Sequence, residues 1–175
     1  MMNFIENLNE EAKVSIGLVI AERMFKLINE NDVGYKIGRD ALDSCWKWLE
    51  GEIIEANDLC DYIDSEDYID VAEFANKEKD GIKQCAWYTV LDAVSYTIWQ
   101  AYKKENRQSV PQSVESVDDE TLIILGKNSV ESGFFKIESI DKVKNYLLKN
   151  YSIEENKNSD PIIGTVIMEM VDNNY

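Results

Sequence analysis

The longest apolar stretch of the chain runs from Gln84 to Tyr102 and carries a single charge, Asp92. Apolar residues recur in it at helical spacing, and aromatic residues widen the apolar face beyond an ordinary amphipathic stripe. A helix that is apolar on nearly every side lies at the centre of a domain or in a membrane, and the serine, threonine and glutamine side chains here argue against a membrane. We therefore predict a central core helix over about 81–104.

The same spacing predicts helices on both sides of this stretch. The longer ones are expected at about Asn9–Asn29, Tyr35–Glu50, Ser139–Asn150 and Ile162–Val171, and two shorter ones at Glu55–Ile63 and Glu66–Asn76. The pattern thus predicts an all-α bundle of roughly seven or eight helices, arranged as a single domain over 1–175. The polar segment 105–117, which holds the first of only two prolines, is predicted to be a loop.

One region fits two kinds of structure. Acidic residues at 118–120 suit the first turn of a helix that continues through the apolar residues that follow. The β-branched residues together with Gly126 and Gly133 also permit a small hairpin near 121–137. We prefer the helix and keep the hairpin as the alternative.

Charge narrows the range of partners. The chain has 34 acidic and 18 basic residues, a net charge of −16 and a pI near 4.3. Such a surface repels nucleic acid and anionic membranes and attracts basic proteins, so we expect neither nucleic acid nor membrane as a partner. The first residues are acidic where a signal peptide would be basic and then apolar, which favours a cytoplasmic protein.

Candidate catalytic chemistry is scarce. The chain has no histidine, and it lacks the glycine-rich phosphate-binding loops, the G-x-S-x-G motif and the H-E-x-x-H motif. Cys45, Cys60 and Cys85 occupy apolar helical positions without C-x-x-C spacing, which indicates buried, reduced thiols. We therefore expect no catalytic residues, no cofactor and no metal. A spatial pair of carboxylates remains open, because such a pair leaves no mark in the sequence.

The segment from Glu50 to Glu73 is the most acidic part of the chain. It contains ten acids, and no basic residue lies between Lys47 and Lys77. Ile69 and Ala72 are expected to turn inward from its second short helix. Like charges at helical spacing repel one another, and no neighbouring cation offsets them. Three interpretations follow: a solvated face, a docking face for a strongly basic protein, or carboxylate ligands for a hard cation.

Trp46 and Trp48 lie nearly opposite each other on the helical wheel of the second helix. The sequence thus allows one of them to reach the surface, where it would suit a protein interface, or both to pack against neighbouring helices.

Asp92 is the singular charge of the central helix. A charge there is costly unless it is paired or protonated. It could share a polar stripe with Thr89 and Ser95, or pair with Arg23 or Arg39.

The segment Cys45-Trp46-Lys47-Trp48-Leu49, which follows the helix VSIGLVIAERMFKLI, carries a family resemblance. The chain resembles the small acidic all-α immunity proteins of bacterial polymorphic toxin systems, including contact-dependent inhibition, in their tryptophan-rich helical class. The resemblance covers about 8–171. It implies a helical protein that binds and neutralises one cognate toxin, often a nuclease, and it carries over no catalytic residue.

This resemblance and the charge pattern lead to one hypothesis about the binding surface. A nuclease handles phosphates in a basic cleft, so an inhibitor can fill that cleft with carboxylates. The expected toxin-binding residues are Asp58, Asp61, Glu66, Asp67, Asp70 and Glu73, with Trp48. The alternative is a helical adaptor or regulatory protein that binds a basic host protein without inhibiting an enzyme. An enzyme that uses carboxylates is a third possibility.

Overall fold

The computed structural model describes residues 2–153 and 160–171, in which helices are joined by turns and loops. The α-helices are α1 (Glu10–Phe25), α2 (Tyr35–Leu49), α3 (Ala56–Cys60), α4 (Val71–Lys77), α5 (Gly81–Lys104), α6 (Asp119–Glu131), α7 (Asp141–Asn150) and α8 (Gly164–Glu169). Short 3-10 helices occupy Asn3–Asn7 and Ile137–Ile140. No strand occurs in these ranges, although an isolated antiparallel bridge joins Leu8 to Ser152. The predicted all-α bundle is confirmed.

Helix α5 is the central element, as its apolar sequence predicts. It packs against α1, α2, α3, α4 and α6, and its residues from Ala93 to Ile98 are buried. The side chain of Asp80 caps its start by accepting hydrogen bonds from the backbone amides of Ile82 and Lys83, at 2.9 and 3.1 Å. Lysines in the last turn suit the negative end of the helix dipole. The predicted bounds of 81–104 are therefore confirmed.

Helix α1 packs against both α5 and α6 and is buried continuously from Ala12 to Ala21. Gly17 makes this close approach possible, because a Cβ at that position would lie 2.9 Å from the Leu122 side chain on α6. Asparagine at the start of the predicted first helix indicates an N-cap, and the structure confirms it: the side chain of Asn9 accepts a hydrogen bond from the backbone amide of Ala12 at 2.9 Å.

Helix α2 is held to α1 by a polar network. The guanidinium of Arg39 donates to both carboxylate oxygens of Glu22 and, through Nε, to Asp43 at 2.8 Å. The indole N–H of Trp46 donates to the same Glu22 at 3.0 Å. Arg39 thus pairs with acidic residues of α1 and α2, and the alternative in which it pairs with Asp92 is wrong.

The two alternatives for 121–137 are resolved in favour of helix. Asp118 and Thr121 form a capping box at the start of α6, with the Asp118 carboxylate accepting from the Glu120 amide at 2.8 Å and the Thr121 hydroxyl accepting from the Asp118 amide at 3.3 Å. The hairpin alternative is therefore wrong. The capping box favours the helix more strongly than the β-branched residues favour a strand, and two of these residues, Ile123 and Ile124, lie on the surface of α6.

The C-terminal part differs from the prediction. Helix α8 begins at Gly164 rather than at Ile162, so the Asp160-Pro161 pair precedes the helix and does not start it. The backbone amide of Gly164 donates to Oε1 of Glu50 at 2.7 Å, which fixes the start of α8 against the end of α2. The polar residues 156–159, which the sequence predicts to be a loop, lie outside the described residues.

Asp92 faces a narrow groove between α5 and α6, beside Cys85, Leu125 and Asn128. Burial raises the pKa of its carboxyl to about 6. Thr89, which was predicted to share a polar stripe with it, lines the same groove, and its hydroxyl donates to the Cys85 carbonyl at 2.8 Å rather than to Asp92. In the described ranges no ion pair or hydrogen bond to the Asp92 carboxylate is present, so its ionised form is left partly desolvated.

Among the helices of the described ranges, none has both the length and the apolar character that a membrane span requires.

We predict that Asp92→Asn stabilises the protein at neutral pH and has little effect at pH 4. Because the pKa of Asp92 is raised on folding from 3.8 to about 6, the folded state binds the proton more tightly, and stability falls as pH rises between these values. A shift of this size corresponds to a gain of at most about 3 kcal/mol in the free energy of unfolding at pH 7.5. Urea denaturation of both proteins at the two pH values measures it, and an equal difference at both would contradict it.

Candidate binding surface

Residues 50–73, here called the acidic segment, connect α2 to α4 and include α3. The segment is fixed to the bundle by an apolar underside, whose side chains are at most 7% exposed: Ala56, Leu59, Cys60, Ile63 and Val71. Polar contacts add to this attachment. The backbone amide of Ala56 donates to Oε1 of Glu105 at 2.6 Å, and the hydroxyl of Tyr102 donates to Oδ1 of Asn57 at 2.6 Å. The segment is thus held against the end of α5.

The carboxylates of the acidic segment differ in their accessibility. Seven side chains are exposed and form no ion pair with any residue that the structure describes: Glu52, Glu55, Asp58, Asp61, Asp64, Glu66 and Asp67. Glu73 is half-buried and pairs with Lys77 at 2.6 Å, one helical turn away. A continuous stretch from 52 to 67 therefore presents unneutralised negative charge to solvent.

Asp70 has a structural position. Its side chain is 5% exposed, and its two oxygens accept hydrogen bonds from the backbone amides of Ser65 and Glu73, both at 2.9 Å. It is the N-cap of α4, which begins at Val71. The predicted helix Glu66–Asn76 therefore began too early, and Glu66 lies in the loop before α4 rather than on one helical face with Asp70 and Glu73.

Apolar side chains lie among the exposed acids. Ile53 is fully exposed, and Tyr68 and Ile69 are 40% and 46% exposed. The hydroxyl of Tyr68 donates to the backbone carbonyl of Asp61 at 2.8 Å, so this ring lies across the loop. The expectation that Ile69 turns inward is wrong, because the chain at 66–70 is a loop and not a helix.

Trp48 and Trp46 are both 8% exposed, so neither projects into solvent. The ring of Trp48 lies under Lys104, whose Nζ is 5.2 Å from the ring centroid. Trp48 still lines an open groove together with Ile53 and Ile54. Trp48 is therefore placed at the floor of a surface depression rather than on a protruding face.

The thiols are poorly suited to nucleophilic chemistry. Burial raises the pKa of Cys45 to about 12 and also raises the pKa values of Cys60 and Cys85. Within 2–153 and 160–171, no three cysteine, aspartate or glutamate side chains are grouped closely enough to hold a metal ion. The acidic segment can attract cationic groups, but it gathers no ligand set.

A comparison with protein-family models identifies the family to which the chain belongs. The model described as immunity protein Imm6 matches residues 12–132, which is more than half of the chain. The chain belongs to the Imm6 family of immunity proteins. No curated protein and no solved structure gives a significant match.

The Imm6 match extends from the first turn of α1 to the end of α6, so it includes the central helix and the whole acidic segment. The resemblance to bacterial immunity proteins is thereby confirmed, and the chain is a toxin immunity protein by family. The assignment of Asp58, Asp61, Glu66, Asp67, Asp70, Glu73 and Trp48 to the toxin interface stays a prediction.

Sequence reasoning missed the exposed apolar side chains of this surface. Ile53 precedes a short helix, where its exposure could not be separated from core packing. The sequence did contain one relevant signal, the glycine at position 51, since glycine often ends a helix. In the structure Gly51 has a positive φ of 94° and forms the turn after α2.

Asp70→Ala is expected to lower the free energy of unfolding by about 1–2 kcal/mol, because it removes an N-cap and leaves two backbone amides without their acceptor. Asp67→Ala is the matched control, since its exposed side chain makes no hydrogen bond in the described structure and its loss should change stability by less than about 0.5 kcal/mol. Urea denaturation measures both variants. Equal stability of the two would show that Asp70 has no capping role.

Proposed function

We propose that this Imm6 protein neutralises a cognate toxin by binding a basic surface of that toxin with its acidic segment. The observation that carries the proposal is the run of seven exposed, unpaired carboxylates between Glu52 and Asp67. An exposed carboxylate without an internal counterion remains available to a cation on another protein.

Electrostatics supports a basic partner. The net charge of −16 gives the whole molecule a negative electrostatic potential. The negative charge is concentrated in the acidic segment, whose sequence contains no lysine or arginine. Such fields accelerate the encounter with an oppositely charged protein and weaken as salt is added. Most of this charge acts on association, because exposed ion pairs contribute little to the final affinity.

The apolar side chains within the acidic segment support a stable complex in addition to a fast encounter. Tyr68 and Ile69 lie beside Glu66 and Asp67 and retain substantial exposed surface. Interfaces commonly combine such apolar contacts with surrounding charges that set orientation. The acidic segment supplies both kinds of group on an attached, ordered backbone.

A nuclease fits this surface best among toxin classes. Its active cleft must bind phosphates, so it carries lysine and arginine side chains that carboxylates can occupy. We infer that the immunity protein acts without catalysis, by covering that cleft in the cytoplasm of the producing cell. The toxin domain for the tests is to be identified first: we expect it to be the C-terminal domain of a large secreted protein, encoded by the gene adjacent to that of the immunity protein.

A fourfold neutralisation, Asp58→Asn, Asp61→Asn, Glu66→Gln and Asp67→Asn, should lower the association rate with this toxin domain at least about tenfold at low salt. The slope of the logarithm of the rate against ionic strength should also decrease. Stopped-flow or biolayer measurements at several salt concentrations provide both values.

The matched control neutralises four exposed acids outside the acidic segment that have no ion pair in the described structure: Glu6, Glu30, Glu115 and Glu138. It removes the same total charge and should reduce the rate far less. Equal effects of the two variants would show that net charge alone matters. Tight binding that leaves the activity of the toxin domain intact would instead favour an adaptor.

A further inference from the structure

The ends of α2 and α5 form an open groove of about 570 Å³ at one end of the bundle, here called the Trp48 groove. Trp48 and Ala101 lie at its floor, and Ile53 and Ile54 form one side. Ile53 has a relative exposure of 102%, which means that its whole side chain is in contact with solvent. A large apolar side chain beside an accessible indole edge is the kind of surface that protein partners cover.

The exposure of Ile53 is enforced by the backbone before it. Gly51 adopts a φ of 94°, and its amide donates to the Trp48 carbonyl at 3.1 Å. The amide of Glu52 donates to the Lys47 carbonyl at 2.9 Å, which completes a Schellman motif at the end of α2. On the other side of Ile53, the buried Ala56 is bonded through its amide to Glu105. The isoleucine is therefore displayed between two fixed points.

On the opposite side of the groove, α5 ends with the same pair of hydrogen bonds as α2. Asn106 has a φ of 55°, its amide donates to the Lys103 carbonyl at 3.0 Å, and the amide of Arg107 donates to the Tyr102 carbonyl at 3.1 Å. Two helices thus direct the negative ends of their dipoles toward one place.

The side-chain charges at the groove add to these negative dipole ends, because the carboxylates outnumber the available cations. Arg107 is already paired with Glu105 at 2.9 Å, and Lys104 lies over the Trp48 ring, 3.9 Å from Glu11. Glu52 and Glu55 are exposed and form no ion pair with the described residues. The groove therefore combines an apolar floor with unneutralised carboxylates at its edge.

We propose that the Trp48 groove receives one apolar side chain of the toxin that is flanked by lysine or arginine residues. The apolar side chain packs against Ile53 and the indole edge, and its cationic neighbours face Glu52 and Glu55. This inference rests on the proposed function and deepens it: the long acidic run attracts the toxin, whereas the groove determines how long it stays bound.

The test compares Ile53→Ser with Val33→Ser in binding to the toxin domain defined above. Val33 is 89% exposed and lies beside Trp87, near the other end of α5. Because a helix rises about 1.5 Å per residue, Trp87 lies roughly 20 Å along α5 from Ala101 in the Trp48 groove. Both variants exchange an exposed aliphatic side chain for serine, so neither should affect folding.

Ile53→Ser is expected to raise Kd at least about tenfold, through faster dissociation, with an unchanged dependence of the association rate on salt. Val33→Ser should stay within about twofold of the unsubstituted protein. If Ile53→Ser binds the toxin as tightly as the unsubstituted protein does, the groove is not a contact site, while the acidic-segment proposal stands.

Failure of the unsubstituted protein to bind the toxin domain would overturn the proposed function and this inference together. Sedimentation without toxin gives a further outcome. A dimer that Ile53→Ser dissociates would assign the groove to a second copy of this chain and so overturn the inference. A monomer that binds the toxin through Ile53 supports it.

Discussion

The structure depends on the burial of α5 on nearly every side. Its apolar surface is too wide for one neighbour, so five other helices must cover it. The removal of that surface from water is the main favourable term that offsets the conformational entropy of ordering the chain. Asp92 is the exception within this helix, since its carboxyl lies in the α5–α6 groove at a cost in stability when it is ionised.

The central helix also determines what the molecule presents to partners. Its C-terminal end supports the acidic segment through Tyr102 and Glu105, so the exposed carboxylates are displayed from an attached backbone. A surface that is ordered before binding loses less conformational freedom when a partner arrives. In the function proposed here, charge acts at long range and apolar contact at short range, so that the toxin is met quickly and released slowly.

Much of the fold could be predicted from the sequence, because the strongest signals were long-range periodicity and local caps. The bounds of α5, the Asn9 cap of α1 and the helical nature of α6 followed from these. Short elements were less predictable. The start of α4 depends on Asp70 accepting two backbone amides, and the start of α8 depends on Glu50 from a distant helix.

The candidate surface was only partly predictable for a related physical reason. Acidic residues without neighbouring bases were visible in the sequence, but which of them remain exposed depends on tertiary packing. Asp70 is buried, whereas Ile53 and Ile69 are exposed. Trp48 is covered by Lys104, a residue on another helix. No periodicity within one segment contains that information.

Hydrogen–deuterium exchange of the protein with and without its toxin domain tests directly whether the acidic segment is the contact surface. Binding is expected to slow amide exchange within 51–69 and to leave α6 and α7 unchanged. Protection confined to α6, α7 or the N-terminal 3-10 helix, with none in 51–69, would contradict it.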